Sequence, residues 1–148
     1  MTTIQTRKIR KLFLDNKPRP KEITYTKRDK ILRILFDDGF EFMFPSEFLR
    51  VESPSAEVQG HSQIEKITVS GKKYVGITNI EKVGHYAIKI DFTDGHNTGI
   101  YSWEYLYKLG KCYEKIWDKY LNNIKNKKLN RELAWYIFDS IFPRLHNL

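Results

Sequence analysis

Cysteine is almost missing: Cys112 is the sole one in 148 residues. That excludes a disulfide framework and a cysteine-rich zinc site within one chain. No stretch approaches the ~20 apolar residues of a membrane-spanning helix. The opening residues, MTTIQTRKIRKLFLDN, lack the continuous apolar core of a secretory signal, so a cytoplasmic protein is expected. Neither G-x-x-x-x-G-K-[ST] nor G-x-G-x-x-G occurs, so no nucleotide-phosphate cradle is indicated. Nucleic-acid signatures of the RNP or C-x-x-C…H-x-x-x-H kind are absent as well.

What is present suits a folded globule of about one domain. Hydrophobic residues make up 41% of the chain and aromatics 14%. The net charge of +8 is uneven. Residues 1–33 hold 11 Lys and Arg against Asp15, Glu22 and Asp29, and the other 115 residues hold 15 charges of each sign. The whole excess therefore sits in the N-terminal arm and first hairpin. Arg7, Lys8, Arg10 and Lys11 are the candidate contacts for nucleic acid or another polyanion. A solvated lysine-rich tail is the plainer and preferred explanation, so only weak, nonspecific binding is expected from them.

Pro18 and Pro20 close the arm, which divides the chain into an arm at 1–19, a domain at 20–110 and a helical extension at 111–148. ITYTKRDKILRILFDDGFEFMF predicts strands near 22–26, 30–36 and 40–44, with Asp38-Gly39 as the hairpin turn. Leu32, Ile34 and Phe36 alternate with Arg33, Leu35 and Asp37, and Phe40, Phe42 and Phe44 alternate with Glu41 and Met43. SEFLRV predicts a short helix with Ser46 as its N-cap. Residues 51–62, polar and broken by Pro54 and Gly60, read as a long loop.

A second set of strands is expected near 74–82, 85–92 and 98–101, separated by Gly84 and by Asp94-Gly95. From Ser102 the apolar period becomes helical, through Trp103, Leu106, Leu109, Tyr113, Ile116, Trp117, Tyr120 and Ile124. Gly110 is the expected divider between two helices. Asn130 would cap a last helix whose stripe, Leu133, Ala134, Ile137, Phe138, Ile141, Phe142 and Leu145, is expected to pack inward or against a second copy, giving a homodimer. The fold class predicted is α+β, with small antiparallel sheets, short helices and a helical C-terminal extension.

"FPSEFLRVESPSAEVQGH" followed by "VGHYAIKIDFTDGHNTGIYSWEYL" resembles the γ-butyrobetaine hydroxylase-like N-terminal domain, also called domain of unknown function 971. The resemblance covers about residues 20–110. It implies a compact α+β domain, which in carnitine-pathway hydroxylases precedes the oxygenase domain and binds a structural zinc. Elsewhere such a domain is fused to iron–sulfur carrier proteins or stands alone. The family's zinc version follows Leu-Arg with three cysteines and adds a distant histidine. Here Leu49-Arg50 is followed by Ser53, Ser55 and Val58 at those positions, and His96 alone remains. Hydroxyls and a valine cannot replace three thiolates, so no structural zinc and no cofactor are expected. The oxygenase's His-x-Asp is missing too, since the histidines read HSQ, HYA, HNT and HNL.

His96 then has three readings. A weak non-zinc metal site with Asp91, Asp94, His61 and His85 is the least favoured. A turn is favoured, in which Asp94 accepts hydrogen bonds from the following amides and Gly95 supplies an unusual φ. His96 would reach toward the 51–62 loop, and Ser53 or Ser55 would replace the metal as the staple. The functional rival is a partner-binding cluster of Arg50, His61, Asp94 and His96. Cys112, beside Lys111 and Lys115, is expected to be buried or idle rather than a nucleophile. The expected function is a noncatalytic accessory or protein-interaction domain, with iron–sulfur carriers as the partner class that the resemblance implies. Polyanion binding through the arm is the alternative.

Overall fold

A computed structural model describes residues 17–60 and 66–132. Arg7, Lys8, Arg10, Lys11, His61 and the apolar stripe that begins at Leu133 lie outside these residues. The chain is α+β: two three-stranded antiparallel sheets with four short helices among the described residues.

The first sheet is a meander of β1 (Pro20–Thr26), β2 (Ile31–Phe36) and β3 (Glu41–Pro45). Its alternation is the one read from the sequence. Leu32, Ile34 and Phe36 are sealed, and between them Arg33 faces out to pair with Glu22 at 2.7 Å and with Glu41. The turn into β3 uses Gly39 at a φ of 91°, and Asp38 accepts the Phe40 amide at 3.0 Å. β3 keeps the alternation only in part. Phe44 is buried, but Phe40 is 45% exposed beneath the Lys111 ammonium, 3.7 Å above its ring.

The second sheet comprises β4 (Ile77–Val83), β5 (Ala87–Phe92) and β6 (Ile100–Ser102), each shorter at its start than expected. Ile77, Ile88, Ile90 and Phe92 meet Leu32, Ile34, Phe36 and Phe44 in one core, closed by Tyr101, Leu106 and Leu109. Among the described residues no backbone ladder joins the two sheets. A side chain does so instead: the Tyr25 hydroxyl accepts the Ile77 amide at 3.0 Å.

Helix α1 (Ser46–Val51) corrects one expectation. Pro45 holds the N-cap position and Ser46 is already helical, its buried hydroxyl donating to the Lys30 carbonyl at 2.8 Å. The hydroxyl is engaged across the strand turn and so does not cap its own helix. The 51–62 segment is more structured than its polarity suggested. It contains α2 (Ala56–Gln59), and Glu52, Ser53, Ser55 and Val58 are all buried.

Ser102 caps α3 (Trp103–Lys111) by accepting the Tyr105 amide at 3.1 Å. α4 (Tyr113–Asn126) follows, and the break falls at Cys112, not at Gly110. Gly110 lies within α3 for another reason, because a Cβ there would overlap the Phe42 ring. α4 covers α1 through Phe48, whose ring lies 4.5 Å from that of Tyr113 and 6.2 Å from that of Trp117. The chain then turns back. The carbonyls of Asn130 and Arg131 accept the amides of Gly71 and Lys73, and the Arg131 guanidinium grips the buried Glu47 carboxylate at 2.8 and 2.7 Å. The extension thus packs on the same core at least to residue 132. Among the described residues no helix is long and apolar enough to cross a membrane.

Candidate functional site

The site is built where the end of α1 meets the turn after β5. Two carbonyls at the end of α1 and that of Ser53 just beyond it are taken here by side chains. Tyr101 donates to the Leu49 carbonyl at 2.6 Å, Tyr105 to Glu52 at 2.6 Å and Gln59 to Ser53 at 2.8 Å. Burial of both phenols raises their pKa, so they stay neutral donors. Opposite them, Asp94-Gly95-His96 forms the tight turn expected of it. Asp94 accepts the His96 amide at 3.3 Å, Gly95 has a φ of 87°, and the Phe92 amide reaches the His96 carbonyl at 2.9 Å.

This turn sends the His96 ring inward. Nε2 lies 2.8 Å from Ser53 Oγ and 3.4 Å from Ser55 Oγ, and Nδ1 lies 3.3 Å from a Glu57 carboxylate oxygen. One neutral tautomer satisfies both sides: Nδ1–H donates to Glu57, and Nε2 accepts the Ser53 hydroxyl proton. Burial and the nearby Arg50 charge push the imidazole below the ordinary histidine range, while Glu57 and Asp94 pull the other way. The staple between the turn and the 51–62 segment is therefore a hydrogen-bonded one, through the serines expected to provide it.

Serine, histidine and carboxylate in this order have the connectivity of a hydrolytic triad. Access decides against that use. Ser53 is 0% exposed, so no acyl group could reach its hydroxyl without unfolding the segment. The arrangement also does not suit a zinc ion. Ser53 and Ser55 offer neutral hydroxyls, Val58 offers nothing, and His96 is a single nitrogen donor. Among the described residues no group of three or more His, Cys, Asp or Glu could hold a metal. Asp91, weighed above as a donor, is paired with Asn79 at 3.4 Å instead.

Around the staple lies a charge cluster. Arg50 Nε donates to Asp94 at 2.9 Å, and Lys72 reaches the same oxygen at 2.5 Å. Burial pushes the Asp94 carboxyl up, but the hydrogen bonds from Lys72 and Arg50 outweigh it, and it titrates below the ordinary range. Arg50, Asp94 and His96 are brought together with Arg50 and His96 turned inward, and His61, the fourth member of the suggested partner-binding cluster, lies outside the described residues. Glu57, Lys72 and Gly99 belong to the same assembly and carried no sequence signal, since their spacing from His96 follows no motif. Cys112, expected to be buried or idle, is exposed at the α3–α4 junction, where a helix break turns its side chain out.

A separate cleft of about 880 Å³ opens between β1 and the second sheet, floored by Ile80, Ile88 and Trp103. It does not include the staple. His85 lies at this cleft, and its carbonyl accepts the Trp103 indole N–H at 2.8 Å, so it is not a partner of His96.

These features define a small two-sheet α+β module with a sealed polar staple at its centre. The chain belongs to the gamma-butyrobetaine hydroxylase-like N-terminal family, whose model matches residues 23–107. Two NMR solution structures are similar to it. One is 37% identical with a TM-score of 0.70 over 79% of this chain and 92% of that one. The other is 39% identical with a TM-score of 0.69 over 80% and 92%. A crystal structure of a protein of unknown function from Acidithiobacillus ferrooxidans, belonging to the domain of unknown function 971 family, is 38% identical with a TM-score of 0.53. That match covers 62% of this chain and 92% of the other. No curated protein matches the chain.

Proposed function

We propose that this chain is a noncatalytic accessory module that acts by binding another protein, in the cytoplasm. The observation that carries the reading is the sealing of Ser53, at 0% exposure, beneath Tyr101 and His96. Among the described residues, the Ser53–His96–Glu57 constellation with catalytic connectivity holds two segments together. Arg50, Asp94 and His96 would serve a partner indirectly, by fixing the 52–60 segment, with Glu57 and Lys72 at the rim. A serine-reactive phosphonate that labelled Ser53 in the folded protein would overturn the noncatalytic half of this reading.

Resemblance to domains fused with iron–sulfur carriers supports such carriers, or their assembly factors, as the partner class. Affinity capture from native extract with the full chain tests this. Recovery of a carrier, an assembly factor or a client enzyme is expected, and a recovered set containing none of these would count against the class.

The concentration of the entire +8 charge in residues 1–33 supports a second reading, polyanion binding by the basic arm around Arg7, Lys8, Arg10 and Lys11, which holds six Lys and Arg in residues 1–19. About six neutralised phosphates would make affinity fall ~10³-fold between 50 and 200 mM salt. Sequence-selective binding that survives physiological salt would rank this reading first.

A further inference from the structure

The cleft between β1 and the second sheet has a wall unlike its floor. β1 pairs only with β2, so it is a sheet edge. Pro20, Lys21, Glu22 and Ile23 line the cleft consecutively. The register on β2 shifts between Pro20 and Glu22, and because β2 occupies the other edge, the side of β1 that borders the cleft is its free edge. The floor is different. Ile80 and Lys82 alternate along β4, and Ile88 is the direct partner of Lys82, so all three share one face of the second sheet. The backbone groups of Lys21 to Ile23 that β2 does not take therefore border a cleft with an apolar floor.

The rim charge is one-sided. Arg19, Lys21 and Lys82 surround the opening, with Glu22 as the lone acid. Glu22 is held by Arg33, at 2.7 Å, on the outward side of its sheet.

We propose that β1 is a docking edge for an extended, acidic peptide segment of a partner protein. The segment adds as a further strand beside β1, drops alternate apolar side chains onto Ile80, Ile88 and Trp103, and sets its carboxylates against Arg19, Lys21 and Lys82. A row of unpaired backbone groups is satisfied only by another extended backbone, and the pockets beneath select the side chains. Charge argues against the chain's own residues 1–16, where Arg7, Lys8, Arg10 and Lys11 outnumber Asp15. It argues equally against a second copy, whose β1 would bring the same cations. The inference rests on the interaction-module reading and names the chemistry of its partner.

The test uses the full-length ¹⁵N-labelled chain and a blocked heptapeptide of alternating glutamate and valine. Controls are the lysine–valine counterpart and decanoate. The glutamate peptide should shift and protect the β1 amides and change Trp103 fluorescence. Lys21→Glu/Lys82→Glu should weaken it at least about tenfold and reverse the preference toward the lysine peptide. Unmoved β1 amides at millimolar peptide, or equal response to the lysine peptide, would overturn the proposal. So would decanoate alone reproducing the Trp103 response without β1 protection, which would mark a small-anion pocket. Binding that appears only after removal of residues 2–16, or peptide-free dimerisation through β1, would assign the edge to those occupants instead. If the double variant still captures the native protein partner, this site is wrong while the interaction reading stands.

Discussion

Gly99 lies directly against Ser53: a Cβ at position 99 would fall 2.5 Å from Ser53 Oγ and 3.0 Å from the Tyr101 ring. The missing side chain lets the Ser53 hydroxyl sit within reach of His96. Gly99→Ala should therefore destabilise the protein by about 1–3 kcal/mol, as overpacking of a closed site does. Chemical denaturation checks this, and an unchanged midpoint would show that the serine side has room to retreat.

Ser53→Ala leaves the His96 Nε2 acceptor with only the longer, 3.4 Å approach of Ser55 Oγ in a buried site. A loss of about 1–3 kcal/mol is expected, with His96→Ala near the lower end because it also removes the group needing a partner. A double-mutant cycle measures the coupling, and strictly additive losses would mean the bond contributes nothing.

Acid should weaken the fold in a defined order. His96 titrates below its ordinary value of 6.5 when folded, so its contribution is whole above the unfolded value and is lost as pH falls through the folded one. Asp94 behaves the same way at lower pH, below its ordinary 3.8. Stability measured from pH 7.5 downward should fall in two stages, and His96→Ala should flatten the first. A first stage that persists in that variant would assign it to another group.

Hydrogen bonds from Ser53, Ser55 and Glu57 hold the His96 ring, so zinc should be dispensable. Elemental analysis should find no stoichiometric zinc, and a chelator should leave the melting curve in place. One zinc per chain with chelator-induced unfolding would mean that donors outside the described residues, such as His61, rebuild the site.

The bidentate grip of Arg131 on Glu47 closes the end of the described chain. Arg131→Ala leaves a carboxylate that is only 7% exposed without its cation and should lose about 2–3 kcal/mol, less than a fully sealed pair. Removing residues 130–148 should lower the melting temperature at least as much. A truncation that changes neither melting temperature nor oligomeric state would make the extension an independent tail.

Gly110→Ala separates two roles for one glycine. Inside a helix the change usually stabilises by up to about 1 kcal/mol. Here the added methyl meets the Phe42 ring, so a net loss is expected in thermal unfolding. A gain would mean that Phe42, on an edge strand, moves aside.

Much of the order along the chain was legible from sequence alone. Periods of two and of three to four residues locate β2, β5, α3 and α4, because one buried face imposes one repeat on the side chains. Asp38-Gly39 and Asp94-Gly95 announced their turns through the backbone angles glycine permits. Even the direction of His96, toward Ser53 and Ser55, followed from the family pattern. What only tertiary structure decided are contacts between faces that no local repeat records. A glycine kept for a positive φ, such as Gly95, and one kept for a missing Cβ, such as Gly99 or Gly110, look the same in a sequence. Ser46 reads as a cap until the Lys30 carbonyl is seen to take its hydroxyl. The Tyr25–Ile77 link, the sealing of Ser53 and the basic cleft beside β1 all depend on how two sheets without a shared ladder lean together, and that angle is set by the packing of the whole core.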